Sequence, residues 1–204
     1  MKNIIQVVLL SIVISSCGAK EWTTDRQIDL GDNAPIGIAA DDVGYWISDG
    51  SNNELIQFDL SDTEVLKVEE FDRPMHIAYT GGKVYIPEYG SDQITIVQDG
   101  SKSLFELKDS LDAPAGFAIS GEDIAIADFY NHRVLLKTGG EWKSIGEEGN
   151  GPKDFYYPTD VQFYGDRLFV ADAYNNRIKV LDLSGRTLNS FGQEEEINAA
   201  IGLY

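Results

Sequence analysis

Two histidines, His76 and His132, and one cysteine, Cys17, are all the imidazole and thiol in this 204-residue chain. Three or four His/Cys zinc ligands cannot be gathered from them unless carboxylates complete the set, which sets aside most zinc hydrolases and lyases. The chemistry that remains needs few groups. A histidine or a carboxylate at a channel mouth can serve as a general base or as a ligand of a divalent ion, and His76 and Asp160 are the two polar groups whose register allows it, as separate groups rather than a constellation. Aromatic side chains supply a different chemistry: Tyr130, Phe155, Tyr156, Tyr157 and Tyr174 stand among carboxylates, a composition suited to sugars or protein partners.

The elements that position these groups repeat. Pro35, Pro74, Pro114 and Pro158 each open a short apolar stretch, at intervals of 39, 40 and 44 residues. Fourteen residues after each proline stands an acid, Asp49, Glu88, Asp128 or Asp172, and five further on Glu54, Gln93, Arg133 or Arg177 leads into an aliphatic residue. Two markers sharing one set of intervals define a repeat. Aliphatic runs such as 168–171 and 178–181, divided by turns such as Gly81-Gly82 and Gly139-Gly140, have the period of strands, and no segment carries a helical stripe. Four short strands in roughly 40 residues make one blade of a β-propeller. The expected fold is therefore all-β, with blades over about 35–72, 74–112, 114–149 and 158–193.

In this register the second residue after each proline is Gly37, His76, Gly116 or Asp160, near the mouth of the central channel. The loops after each second strand share that face, so the ligand-face candidates are His76, Tyr130, His132, Phe155, Tyr156, Tyr157, Asp160 and Tyr174. Only His76 and Asp160 are candidates for catalysis. Asp49, Glu88, Asp128, Arg133, Asp172 and Arg177 recur from blade to blade, and one active site could not use every copy, so they are expected to brace turns. His132 occupies a position held elsewhere by Asn53, Asp92 and Asn176, which favours a turn role. Residues 149–152 lack the Lys-Ser/Thr of a phosphate loop and are expected to be a flexible connector.

With 34 acidic against 16 basic residues the formal charge is −18, which repels phosphate backbones and argues against nucleic acid as a partner. Residues 1–16 have the three-part layout of a secretory signal: Lys2, an apolar run over 4–14 too short to span a bilayer, then Ser15 and Ser16. Ile14-Ser15-Ser16-Cys17 resembles the lipobox of bacterial lipoproteins. The resemblance implies a lipidated Cys17, a tether over 17–21, and a protein anchored in the bacterial cell envelope, on the outer membrane.

The stretch Phe169-Val170-Ala171-Asp172-Ala173-Tyr174-Asn175-Asn176-Arg177-Ile178-Lys179-Val180, echoed by Ala127-Asp128 and Asn131-His132-Arg133-Val134, resembles the NHL repeat, and residues 149–155 resemble the inter-blade connection of NHL-like six-bladed propeller lipoproteins. The first two units depart from it, with Asn53-Glu54 and Asp92-Gln93 at the paired positions. The resemblance covers roughly 22–204 and implies a six-bladed ring, of which the chain holds four complete blades, a surplus outer strand at 22–30 and the start of a further blade at 200–204. The expectation is an open arc of a partial or truncated ring. The expected function is a membrane-tethered, noncatalytic propeller that binds a protein or glycan on its loop face. The alternative is a lyase or lactonase with a divalent ion in the central channel, the one cofactor for which the resemblance leaves room.

Overall fold

The computed structural model of the chain describes Ile28, residues 30–192 and residues 197–203. The signal segment, Cys17, the tether and most of the surplus strand expected at 22–30 lie outside these residues.

Among the described residues, β-branched and aliphatic runs broken by glycine turns fold into antiparallel four-stranded meanders. The first blade holds β1 (Pro35–Ala40), β2 (Gly44–Asp49), β3 (Glu54–Asp59) and β4 (Glu64–Val68). The second holds β5 (Ala78–Thr80), β6 (Lys83–Glu88), β7 (Gln93–Gln98) and β8 (Ser101–Leu104). The third holds β9 (Pro114–Ser120), β10 (Asp123–Asp128), β11 (Arg133–Thr138) and β12 (Glu141–Ile145). The fourth holds β13 (Pro158–Tyr164), β14 (Arg167–Asp172), β15 (Arg177–Asp182) and β16 (Thr187–Phe191), with a short 3-10 turn over Ala173–Asn175. The acid of each repeat is the last residue of its blade's second strand.

Both faces of a middle strand are covered, those of β10 by the neighbouring blades and those of β2 by the second blade and by Ile28 and Leu30, so β2 and β10 are almost wholly buried and read as continuous apolar runs rather than as an alternation. Trp46, Leu55, Ile77 and Ile86 pack the first blade on the second. Ile94, Phe117, Ile126 and Leu135 pack the second on the third, and Ala127, Leu136, Val161 and Val170 pack the third on the fourth. The far side of the first blade, with Tyr45, Ile47, Ile56 and Phe58, is covered by Ile28 and Leu30. No comparable packing joins the first and fourth blades among the described residues.

The inner strands approach one another closely. A Cβ added to Gly37 would lie 2.7 Å from the Met75 carbonyl oxygen, and one on Gly116 would lie 2.7 Å from the Asp160 Cα, so the glycines alternating with His76 and Asp160 clear room for the next blade's backbone. His76 sits just before β5 in a parallel bridge to Gly116.

Candidate functional site

Each blade carries the same brace, built from its recurring acid. The carboxylate closes the turn after its own strand and also accepts the N–H of the chain entering the blade: Ala34 donates to Asp49 (3.0 Å), Asp72 to Glu88 (2.8 Å), Asp112 to Asp128 (2.8 Å) and Tyr156 to Asp172 (2.7 Å). In the third and fourth blades the second carboxylate oxygen receives Arg133 Nε and Arg177 Nε, each at 2.7 Å. In the second blade Gln93 and Thr95 donate to Glu88 instead, and in the first Asn52 donates to Asp49.

A second brace ties each blade to the next. Asn53, Asp92, His132 and Asn176 all have positive φ, and their side chains accept from the N–H of Arg73, Ala113, Tyr157 and Ala199, which have positive φ as well. His132 Nδ1 is the acceptor for Tyr157 N–H at 3.2 Å, so its proton sits on Nε2. The ring performs the task that an asparagine or aspartate oxygen performs in the other blades. His132→Asn, which retains the acceptor and tolerates the backbone, is expected to melt within about 2 °C of the parent. His132→Leu orphans the Tyr157 N–H at a cost of about 2 kcal/mol, a drop of roughly 4–8 °C by calorimetry for a domain of this size.

The connector over 149–155 is bound down rather than flexible as expected. Arg177 donates to the carbonyls of Asn150, Gly151 and Asp154, and Lys179 donates to those of Gly151, Pro152 and Asp154. Lys179 is fully buried with its ammonium 4.4 Å from the Phe155 ring centroid. Burial, with the neighbouring Arg177 charge, pulls its pKa down to about 8. Phe155, expected on the ligand face, is instead fully buried in the core between the third and fourth blades. Its neighbours Glu147 and Gly149 pair with its backbone and turn the ring inward.

The other loop aromatics do meet. Phe129, Tyr130, Tyr156, Tyr157 and Tyr174 form a continuous cluster with centroids 4.7 to 6.4 Å apart, joined by Tyr89 from the second blade and by His132. Tyr130 is 49% exposed and Tyr174 61%, while Tyr156 and Tyr157 are half-buried between them. Burial and the Tyr130 hydroxyl raise the Tyr89 pKa, which keeps that phenol protonated as a donor. The Arg73 guanidinium caps the cluster, 4.6 Å from the Tyr89 ring centroid.

His76 and Asp160 are brought together from the second and fourth blades because Gly116, lying between them, has no side chain. His76 Nδ1 stands 3.8 Å from Asp160 Oδ2, too far for a hydrogen bond, and Nδ1 has no partner among the described residues. The two side chains are nearly fully buried. Asp160 Oδ1 accepts its own Val161 N–H at 2.8 Å and Oδ2 accepts Leu203 N–H at 2.7 Å. Burial pushes the His76 pKa down to about 4 and the Asp160 pKa up to about 7. A cavity of about 410 Å³ opens beside them, walled by Ile38, Ile77, Phe117, Ile119 and Val161. The pair supplies two donors to a metal, fewer than the three protein ligands of a catalytic zinc or the six to eight oxygens around calcium. No group of three or more His, Cys, Asp or Glu placed to hold an ion occurs among the described residues, so these residues alone do not make up the donor set of a divalent ion.

No protein-family model and no curated protein matches the chain. Solved structures do. A streptogramin B lyase superposes with a TM-score of 0.67 at 19% identity, over 86% of this chain and 60% of that one. A virginiamycin B lyase from Staphylococcus aureus gives 0.66 at 20% identity, over 85% and 60%. A nidogen/laminin complex gives 0.65 at 18% identity, over 81% and 66%. The chain thus spans less than two thirds of the length of these structures. At such identities the likeness establishes the architecture, and the chain is a β-propeller of four-stranded antiparallel blades.

Proposed function

We propose that this protein is a noncatalytic binding propeller, tethered to the bacterial cell envelope through a lipidated Cys17, that docks a protein or glycan on its aromatic loop face. The observation that carries the reading is the tyrosine cluster: rings from three blades share one surface, and two of them present about half or more of their area to solvent. Such rings give a ligand large, rigid contact area at little conformational cost, with phenol hydroxyls left for hydrogen bonds.

The four blades are read as an arc of a larger, six-bladed ring of the NHL type. Residues 197–203 support this, because Ala199 repeats the positive-φ junction that precedes each later inner strand, and Thr159 Oγ1 and Asp160 hold the backbone beyond it.

The test is the double variant Tyr130→Ala/Tyr174→Ala, assayed on immobilised envelope glycans and by cross-linking to envelope proteins. Truncating a central aromatic costs more than about 1 kcal/mol, so the pair is expected to lose at least roughly tenfold in affinity. The melting temperature should hold, since neither ring is in the core. Full binding by the double variant would overturn the reading.

The rival reading is a lyase or lactonase. Its one favourable observation is the His76–Asp160 pair beside a cavity of mixed polar and apolar lining, with neutral His76 as the base. That reading requires turnover that vanishes in His76→Gln while the tyrosine double variant still turns over.

A further inference from the structure

A groove between the outer parts of the third and fourth blades departs from the charge of the rest of the molecule. Its volume is about 680 Å³, and among the described residues its lining includes Lys143 from β12, Lys153 from the connector and Arg186 from the β15–β16 turn, with no acidic residue. The contrast is informative because acids outnumber bases 34 to 16 in the chain. The groove beside the second blade is of opposite character, with Asp92, Glu106 and Asp109 in its lining and no base among the described residues.

The positive groups are free to meet a ligand. Lys143 and Lys153 are exposed, and neither has an ion-pair partner among the described residues. Arg186 Nε lies 3.0 Å from Asp182 Oδ2, which steers the guanidinium while leaving its terminal nitrogens for other acceptors. The hydroxyls are largely committed, with Ser184 Oγ donating to Asp182 and Thr187 Oγ1 to the Pro152 carbonyl. Charge therefore dominates the recognition. The frame is also rigid: Gly185 is packed so tightly on Ile145 that an added Cβ would lie 2.5 Å from its Cδ1, and the connector bearing Lys153 is bound by Arg177 and Lys179.

We propose that this groove is an anion site that takes a phosphate group, with Lys143 and Lys153 as point charges and Arg186 as the directional donor. Two ammoniums and a guanidinium lining one groove, against the single carboxylate of Asp182, leave a net positive charge and free donors suited to a phosphate ester. The phosphate reaches it either from a lipid headgroup or from a soluble ester.

The experiment uses the full chain with Cys17→Ser, so that a lipid anchor cannot mimic headgroup binding. Inorganic phosphate is titrated at low ionic strength, where surface charge is least screened, and lysine and arginine side-chain resonances are followed by NMR. Cosedimentation is run with vesicles of phosphatidylglycerol and phosphatidylcholine and with phosphatidylcholine alone. The expected result is saturable shifts confined to Lys143, Lys153 and Arg186, weakened at least tenfold by Lys143→Gln/Lys153→Gln and unchanged by the charge-matched Lys83→Gln/Lys108→Gln. Cosedimentation with the phosphatidylglycerol vesicles that is lost in the groove variant assigns the headgroup as the source, and phosphate binding without cosedimentation assigns a soluble ester. Shifts spread over all the lysines, or equal weakening by both double variants, would overturn the site.

Discussion

Arg177→Met is expected to lower the melting temperature by roughly 10 °C, several times the effect of the same change at Arg133. The two arginines occupy equivalent positions and donate to equivalent aspartates at the same 2.7 Å. Their surroundings differ. The Arg177 side chain is 7% exposed against 21% for Arg133, and Arg177 also holds the carbonyls of Asn150, Gly151 and Asp154, whereas Arg133 adds one bond to Ser110. Removing Arg177 leaves the fully buried Asp172 facing the uncharged donors Tyr156 N–H and Asn175 Nδ2, with no cation hydrogen-bonded to it among the described residues. Breaking a buried pair from one side costs about 3–5 kcal/mol, and each kcal/mol shifts a domain of this size by roughly 2–4 °C. Lys179→Met is the informative contrast. Its acceptors keep other donors, since Arg177 reaches Gly151 and Asp154 and Thr187 reaches Pro152, and methionine fills a similar volume, so a change below about 1 kcal/mol is expected. Equal losses at Arg133 and Arg177, measured by calorimetry, would show that burial of the pair does not set its worth.

The repeat was readable because its markers sit where geometry permits little else. Pro35, Pro114 and Pro158 open inner strands, where a missing N–H is tolerated, and the acids at Asp49, Glu88, Asp128 and Asp172 end second strands, where one carboxylate can serve two chain segments. The inward turn of Phe155 is not legible in the sequence, for the converse reason. It lies in a connector without periodicity, next to two tyrosines that do face outward, and nothing local in Phe155-Tyr156-Tyr157 says which ring turns inward. The burial of Lys179 does leave a signal in the sequence: it is two residues from Leu181 on the same strand, in phase with a core position, where a charged side chain must find buried partners. The contact between His76 and Asp160 had only a faint trace, the glycine at the matching position of the third blade. Recognising it requires knowing that Gly116 is close enough to the fourth blade for the side chains on either side to meet across it.

That contact carries the last expected result, a pair of pH dependences of opposite sign. His76 in the folded chain titrates near pH 4, below its ordinary value of about 6.5. Between those values the unfolded chain carries the extra proton, so this group makes stability rise with pH by about 1.4 kcal/mol per unit. Asp160 titrates near pH 7 when folded, above its ordinary value of about 3.9. Across that range the folded chain holds the extra proton, and stability falls with pH at a similar slope. In the parent protein the two slopes nearly cancel between about pH 4 and 6.5. Single variants unmask them. Relative to the parent, His76→Asn should gain stability as the pH is lowered from 6.5 to 4, and Asp160→Asn should gain it as the pH is raised from 4 to 7, each by roughly 3 kcal/mol across the window. The loss of the Leu203 N–H acceptor in Asp160→Asn offsets its whole curve without altering the slope. Urea unfolding at half-unit pH steps reads both differences against the parent, which removes the contribution of the other carboxylates. Curves for the two variants that run parallel to the parent would show that neither group changes its affinity for protons on folding, and the buried pair would then have to be more open to water than its surroundings indicate.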